Sequence, residues 1–168
     1  VVYIISNVDN HTYSGYTIVN SVTRDDVQNV KYYEFADGYV KCSNDGIIYY
    51  DYKGNAIWNQ TYEMKSPQLV TCKECLAVGD INGSTIYVFN TKGMLGSIDT
   101  SLSISQIDVG GTGLVAAVLE DTSSNYINMY EPSGEKVYSV KTTLSGDGYP
   151  LNISISEDMT KLIASYVY

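Results

Sequence analysis

Apolar positions in this chain come in short runs, some alternating and some continuous, each closed by glycine, asparagine or aspartate; none sustains a helical period. Three stretches share one cadence: an aromatic-rich strand, a tight turn ending in glycine, then a second apolar strand. They are Ile48-Tyr49-Tyr50-Asp51-Tyr52-Lys53-Gly54, Tyr87-Val88-Phe89-Asn90-Thr91-Lys92-Gly93 and Asn128-Met129-Tyr130-Glu131-Pro132-Ser133-Gly134. Their glycines Gly54, Gly93 and Gly134 lie 39 and then 41 residues apart. A period of about 40–45 residues with four short strands per unit marks a β-propeller blade. Such a unit cannot bury both of its faces alone, so its neighbours must cover them. The pattern predicts an all-β chain: about three four-stranded antiparallel blades plus part of a fourth.

Strands are predicted near 29–35, 39–43, 46–52 and 56–62 in the first repeat. The second repeat places them near 68–72, 75–80, 84–90 and 94–99, the third near 104–108, 113–119, 125–131 and 136–143. A fourth repeat begins at 151–155 and is cut within its second strand. Asp37-Gly38 and Lys53-Gly54-Asn55 supply the positive φ that hairpin turns need, and Asn82-Gly83 is the strongest hairpin dipeptide. Cys75-Leu76-Ala77-Val78 and Val115-Ala116-Ala117-Val118 are continuous small apolar runs, as expected of strands buried on both faces. Proline should end the preceding strand at Met64–Pro67 and Gly146–Pro150, making both inter-blade connectors.

These elements divide the chain into an N-terminal segment, 1–23, and a propeller region, 24–168, with blades at about 27–64, 66–100, 103–144 and 149–168. The N-terminal segment reads either as the end of a membrane helix or as a closing strand. In the second case 15–23 would pair with 162–168 and cover a hydrophobic edge. Val1-Val2-Tyr3-Ile4-Ile5 is too short to cross a bilayer by itself, since about 20 apolar residues are needed.

The stretch Asp45-Gly46-Ile47-Ile48-Tyr49-Tyr50-Asp51-Tyr52-Lys53-Gly54-Asn55-Ala56-Ile57-Trp58 resembles the repeats of quinoprotein-like (WD40-like) propellers. There a tryptophan four residues after the turn glycine packs between blades. Continued through Asn59-Gln60-Thr61-Tyr62-Glu63-Met64, it resembles a narrower group. This is a domain-of-unknown-function family of bacterial propellers, held outside the membrane by one N-terminal helix. Gly148-Tyr149-Pro150-Leu151 and Ser154-Ile155-Ser156-Glu157-Asp158-Met159-Thr160-Lys161-Leu162 fit the same group. The resemblance implies an extracytoplasmic, membrane-tethered protein with no established activity. Counting four residues on from each turn glycine puts Tyr138 in the third repeat, and Ser97 in the second, where the first has Trp58.

Charge narrows the partners. With 19 acidic and 10 basic residues the net charge is −9, and the basic residues never cluster. A phosphate backbone is repelled by such a surface, so nucleic acid is excluded as a partner, and anionic lipid is disfavoured by the same argument.

Candidate chemistry is sparse. Cys72-Lys73-Glu74-Cys75 has the spacing of a redox pair or half a zinc site, but it falls where a two-residue hairpin is expected. Packing or a local disulfide between Cys72 and Cys75 is the reading it supports. His11 is the one histidine and stands in a polar stretch with no scaffold around it. Asp80-Ile81-Asn82-Gly83-Ser84 lacks the remaining ligands of a calcium loop and reads as a turn, as does Gly110-Gly111-Thr112-Gly113. No catalytic, cofactor-binding or metal-binding residue is assigned and no cofactor is expected. The structural residues are Trp58, Gly54, Gly93 and Gly134. The expected function is a non-catalytic extracytoplasmic binding or scaffolding module for a protein or cell-surface polymer. The competing expectation is a quinoprotein-like oxidoreductase whose cofactor site is completed by further blades.

Overall fold

The computed structural model describes residues 15–18, 21 and 29–168, and every regular element among them is a β-strand. The first sheet is β1 (Lys31–Phe35), β2 (Gly38–Ser43), β3 (Gly46–Asp51) and β4 (Ala56–Thr61). The second is β5 (Pro67–Cys72), β6 (Cys75–Asp80), β7 (Thr85–Asn90) and β8 (Gly93–Asp99). The third is β9 (Ser103–Val109), β10 (Val115–Glu120), β11 (Ser124–Tyr130) and β12 (Lys136–Thr143). The hairpin β13 (Tyr149–Ile155) and β14 (Leu162–Val167) forms the fourth. In each sheet the strands run in sequence order and every pairing is antiparallel. These are propeller blades, and the strand ends lie within two residues of those expected from the sequence.

Two expectations need correction. Pro150 does not end a strand: it is the second residue of β13, beside a bulge that leaves Leu151 out of the pairing with β14. Proline is tolerated there because a bulge already interrupts the ladder. The equivalence of Ser97 with Trp58 also fails. The β3–β4 and β11–β12 turns close by bonds from the Asp51 amide to the Asn55 carbonyl and from Glu131 to Glu135. Gly54 (φ +86°) and Gly134 (φ +90°) take the left-handed position in these turns. The β7–β8 turn is one residue shorter, with Asn90 opposite Gly93 (φ +132°). Its bulge therefore sets Gly96 opposite Val88, as Trp58 is set opposite Tyr49 and Tyr138 opposite Met129.

Of the segment expected to close the ring, residues 15–18 are exposed and outside any strand. Residues 1–14, 19–20 and 22–28, with His11 among them, lie outside the described residues. Among the described residues β14 pairs with β13 alone.

The core sits in the seams between blades. Side chains of a strand point alternately to opposite faces, so a central strand serves two seams at once. Leu76 and Val78 of β6 join Phe35, Val40, Ile47 and Phe89 between the first and second blades. Cys75 and Ala77 of the same strand join Ile107, Val115 and Leu119 between the second and third. β10 repeats the division: Val115 and Ala117 face back, while Ala116 and Val118 pack on Ile153 of the fourth blade. This is why those two runs are continuous rather than alternating.

Backbone and side-chain bonds tie the seams. The Asn82 amide donates to the Ile104 carbonyl (2.8 Å) and the Ile104 amide returns a bond to Gly83 (2.9 Å). Asp108 accepts from the Ile155 amide at 2.8 Å, and the Gln106 side-chain amide donates to the Leu151 carbonyl. At Gly96 the approach is closest: a Cβ there would stand 2.0 Å from the Pro132 carbonyl oxygen of the next blade's turn.

That contact yields a first prediction. Gly96→Ala should lower stability by about 1–3 kcal/mol, because backbone must shift to admit the methyl. Ser97→Ala, on an exposed side chain, should stay within about 0.5 kcal/mol. Equal urea midpoints for the two variants would contradict the register.

Candidate functional site

The first seam carries the densest chemistry. The Trp58 indole on β4 stacks on Phe89 of β7, ring centroids 5.1 Å apart and planes 8° from parallel. Tyr49 flanks it at 5.7 Å. The indole nitrogen is buried and has no hydrogen-bond partner among the described residues. Trp58 is therefore committed to packing, with no polar contact to fix it. Just beyond β4, buried Tyr62 stacks on Tyr87 (5.7 Å, 13°).

Tyr62 also turns its hydroxyl to Cys42 Sγ, the two sharing a 3.2 Å hydrogen bond. Burial pushes the Tyr62 phenol far up, and the bond to Cys42 adds to this. Burial likewise raises the Cys42 thiol, partly offset by the Tyr62 bond and by the nearby charge of Lys31. Tyr33, on the same face of β1, is raised by burial and by Cys42. The group is a neutral thiol–phenol floor rather than a nucleophile, since thiolate is the reactive form.

Above that floor opens a cleft of about 460 Å³ between the first two blades. Lys31 and Tyr33 reach it from β1, Asn44 from the β2–β3 turn, Lys65 and Ser66 from the connector, and Gln68 from β5. A second groove, about 410 Å³ and mainly apolar, runs between the β11–β12 half of the third blade and β14, lined by Met129, Tyr138, Val140 and Tyr166.

The Cys72-Lys73-Glu74-Cys75 pair lies at another seam. The two cysteines are direct register partners across a two-residue turn, with Lys73 at φ +53°. Both thiols are free in this structure. Cys75 Sγ points into the seam toward the third blade and donates to the Gly111 carbonyl at 3.4 Å. Lys73 pairs with Glu157 of the β13–β14 turn. Burial raises both thiols, and the charges of Glu157 and Asp108 raise Cys72 further. The predicted turn glycines Gly54, Gly93 and Gly134 sit at hairpin tips and contribute no group to either cleft. Sequence reading missed Lys31, Tyr33, Lys65 and Gln68, and no spacing in the chain marks them as a set.

The profile of a family of unknown function, DUF5711, matches residues 9–168. The chain belongs to that family. No curated protein matches this DUF5711 chain. Among solved structures, Hsv2 of Kluyveromyces lactis superposes with a TM-score of 0.57 at 15% identity, over 81% of this chain and 45% of that one. A protein of unknown function from Bacteroides caccae gives 0.47 at 18% identity, over 79% and 52%. The Neurospora crassa Pan2 WD40 domain gives 0.45 at 13% identity, over 66% and 35%. The DUF5711 chain thus spans about half or less of the length of these structures. At such identities the likeness is one of fold, the β-propeller.

The raised thiols set a pH dependence. In the unfolded DUF5711 chain a thiol titrates near about 8.5. In the fold it stays protonated to higher pH, so its stabilisation is complete below about 8.5 and is lost as pH rises through the raised value. Urea midpoints should therefore fall from about pH 8 to 10, and Cys42→Ala should fall less steeply. Parallel curves would show that Cys42 is not a source of the loss.

Proposed function

We propose that this chain is a non-catalytic binding module whose partner is a protein or cell-surface polymer met outside the cytoplasm, and that the parent protein is tethered to the membrane. The observation that carries the reading is the polar cleft at the first seam. It is built from strands of two blades, a hairpin turn and the connector between them, and brings ammonium, carboxamide and hydroxyl groups together over a floor of protonated thiol and phenol. Groups so held recognise a ligand without supplying a base or nucleophile at neutral pH. The net charge of −9 supports a partner other than nucleic acid.

The oxidoreductase alternative needs aromatic rings free to sandwich a planar cofactor. Trp58, the ring such a site would draw on, is stacked against Phe89. That engagement favours binding over redox chemistry.

The test is a titration of the purified chain against a panel of cell-surface polysaccharides and envelope proteins, with product analysis in parallel. Saturable binding with the ligand recovered unchanged is expected. Turnover of a glycoside or a quinone dye that disappears on changing one acidic residue would overturn the proposal.

A further inference from the structure

We infer that the cleft between the first two blades takes an acidic sugar, a pyranose bearing a carboxylate. This rests on the binding-module reading and names its ligand class. The cleft's volume, about 460 Å³, falls in the range of small-ligand sites.

Charge is the first argument. The protein is strongly acidic, yet two of its ten basic residues, Lys31 and Lys65, border this one cleft. Neither makes an ion pair among the described residues, whereas Lys73 is held by Glu157 and Lys141 lies over the Tyr126 ring. The Asp80 carboxylate is engaged locally: its Oδ1 accepts the Ser66 amide at 2.7 Å and its Oδ2 lies against the Gly83 turn. Two ammonium groups are thus left facing a solvent cleft on a negative molecule, which favours an anionic occupant.

The second argument is the polar pattern. Asn29 and Gln68 present carboxamides at the rim, and Asn44, whose Nδ2 donates to the Lys65 carbonyl at 3.0 Å, keeps its oxygen for a ligand. Carboxamides donate and accept at once, as sugar hydroxyls do. The side chains of an acidic peptide are acceptors only, so nothing but its backbone N–H groups could reach those oxygens, whereas each sugar hydroxyl can donate and accept at the same position. Pro67 and Ile81 supply the apolar surface on which the C–H face of a pyranose can rest.

Tri-galacturonate serves as probe, followed by calorimetry on the wild-type chain, on Lys31→Met/Lys65→Met and on Gln68→Ala, with melting curves confirming that each variant is folded. The inference expects saturable binding, weakened at least about tenfold in the double lysine variant and several-fold in Gln68→Ala, and weakened again between about 50 and 300 mM salt. Uncharged maltotriose should bind at least about tenfold more weakly than tri-galacturonate, and hexaglutamate should not compete. No binding of tri-galacturonate, binding indifferent to the lysines, or equal binding of hexaglutamate each overturns the assignment. If the polymer panel binds the double variant as well as wild type, the module reading stands and the cleft falls. If the panel binds neither protein, both fall.

Discussion

A β-sheet of four short strands has two apolar faces and no means of covering either by itself. Everything in this molecule follows from that constraint. The second and third blades each spend one face on the blade before and one on the blade after. The central strands carry the consequence most plainly: Leu76 and Val78 belong to one seam, Cys75 and Ala77 to the next. Burial of a large apolar side chain stabilises by about 1.5–3 kcal/mol, so a seam with several such residues outweighs any single hydrogen bond across it. The seam bonds between Asn82, Gly83 and Ile104, and between Asp108 and Ile155, fix alignment rather than supply most of the energy.

The same constraint explains where a ligand could be recognised. A seam is packed along its length but opens at its end, where the blades diverge and polar side chains from both meet solvent. At the first seam the opening is underlain by Cys42, Tyr62 and the Tyr62–Tyr87 stack, so the groups around it are held from below by aromatic packing. A rigid base of that kind reduces the ordering cost of binding. The groove beside Tyr138 and β14 is mainly apolar and lies elsewhere in its seam: Tyr138 there holds the register position that Trp58, packed on Phe89, holds in the first blade.

Strand order and turn placement were legible in the sequence because both are local. Asn82-Gly83 and the three turn glycines announce hairpins by backbone chemistry alone, and the continuous runs at 75–78 and 115–118 announce two-sided burial. The position of the bulge was not legible. Shortening one turn by a residue moves the equivalent of Trp58 from Ser97 to Gly96, and only the pairing register reveals it. Pro150 misled for a related reason: a proline beside a bulge costs no ladder bond, so it need not end a strand. The cysteine pair was found by spacing, but its real contacts, the Gly111 carbonyl and the Glu157 carboxylate, lie far along the chain. The cleft was invisible for the same reason. Lys31, Tyr33, Asn44, Lys65 and Gln68 come from two blades and share no period, so only the fold assembles them.

The central claim is that inter-blade packing, focused on the stack of Trp58 with Phe89, holds this structure together. Urea unfolding of Trp58→Ala and Trp58→Phe tests it most directly. Trp58 is partly exposed, so the alanine variant should lose about 2–4 kcal/mol, toward the lower part of the range for large aromatic truncations. The phenylalanine variant keeps a stacking ring and forfeits no hydrogen bond, since the indole nitrogen has no partner among the described residues; it should lose less than about 1 kcal/mol. An alanine variant that unfolds at the wild-type urea concentration would contradict the account.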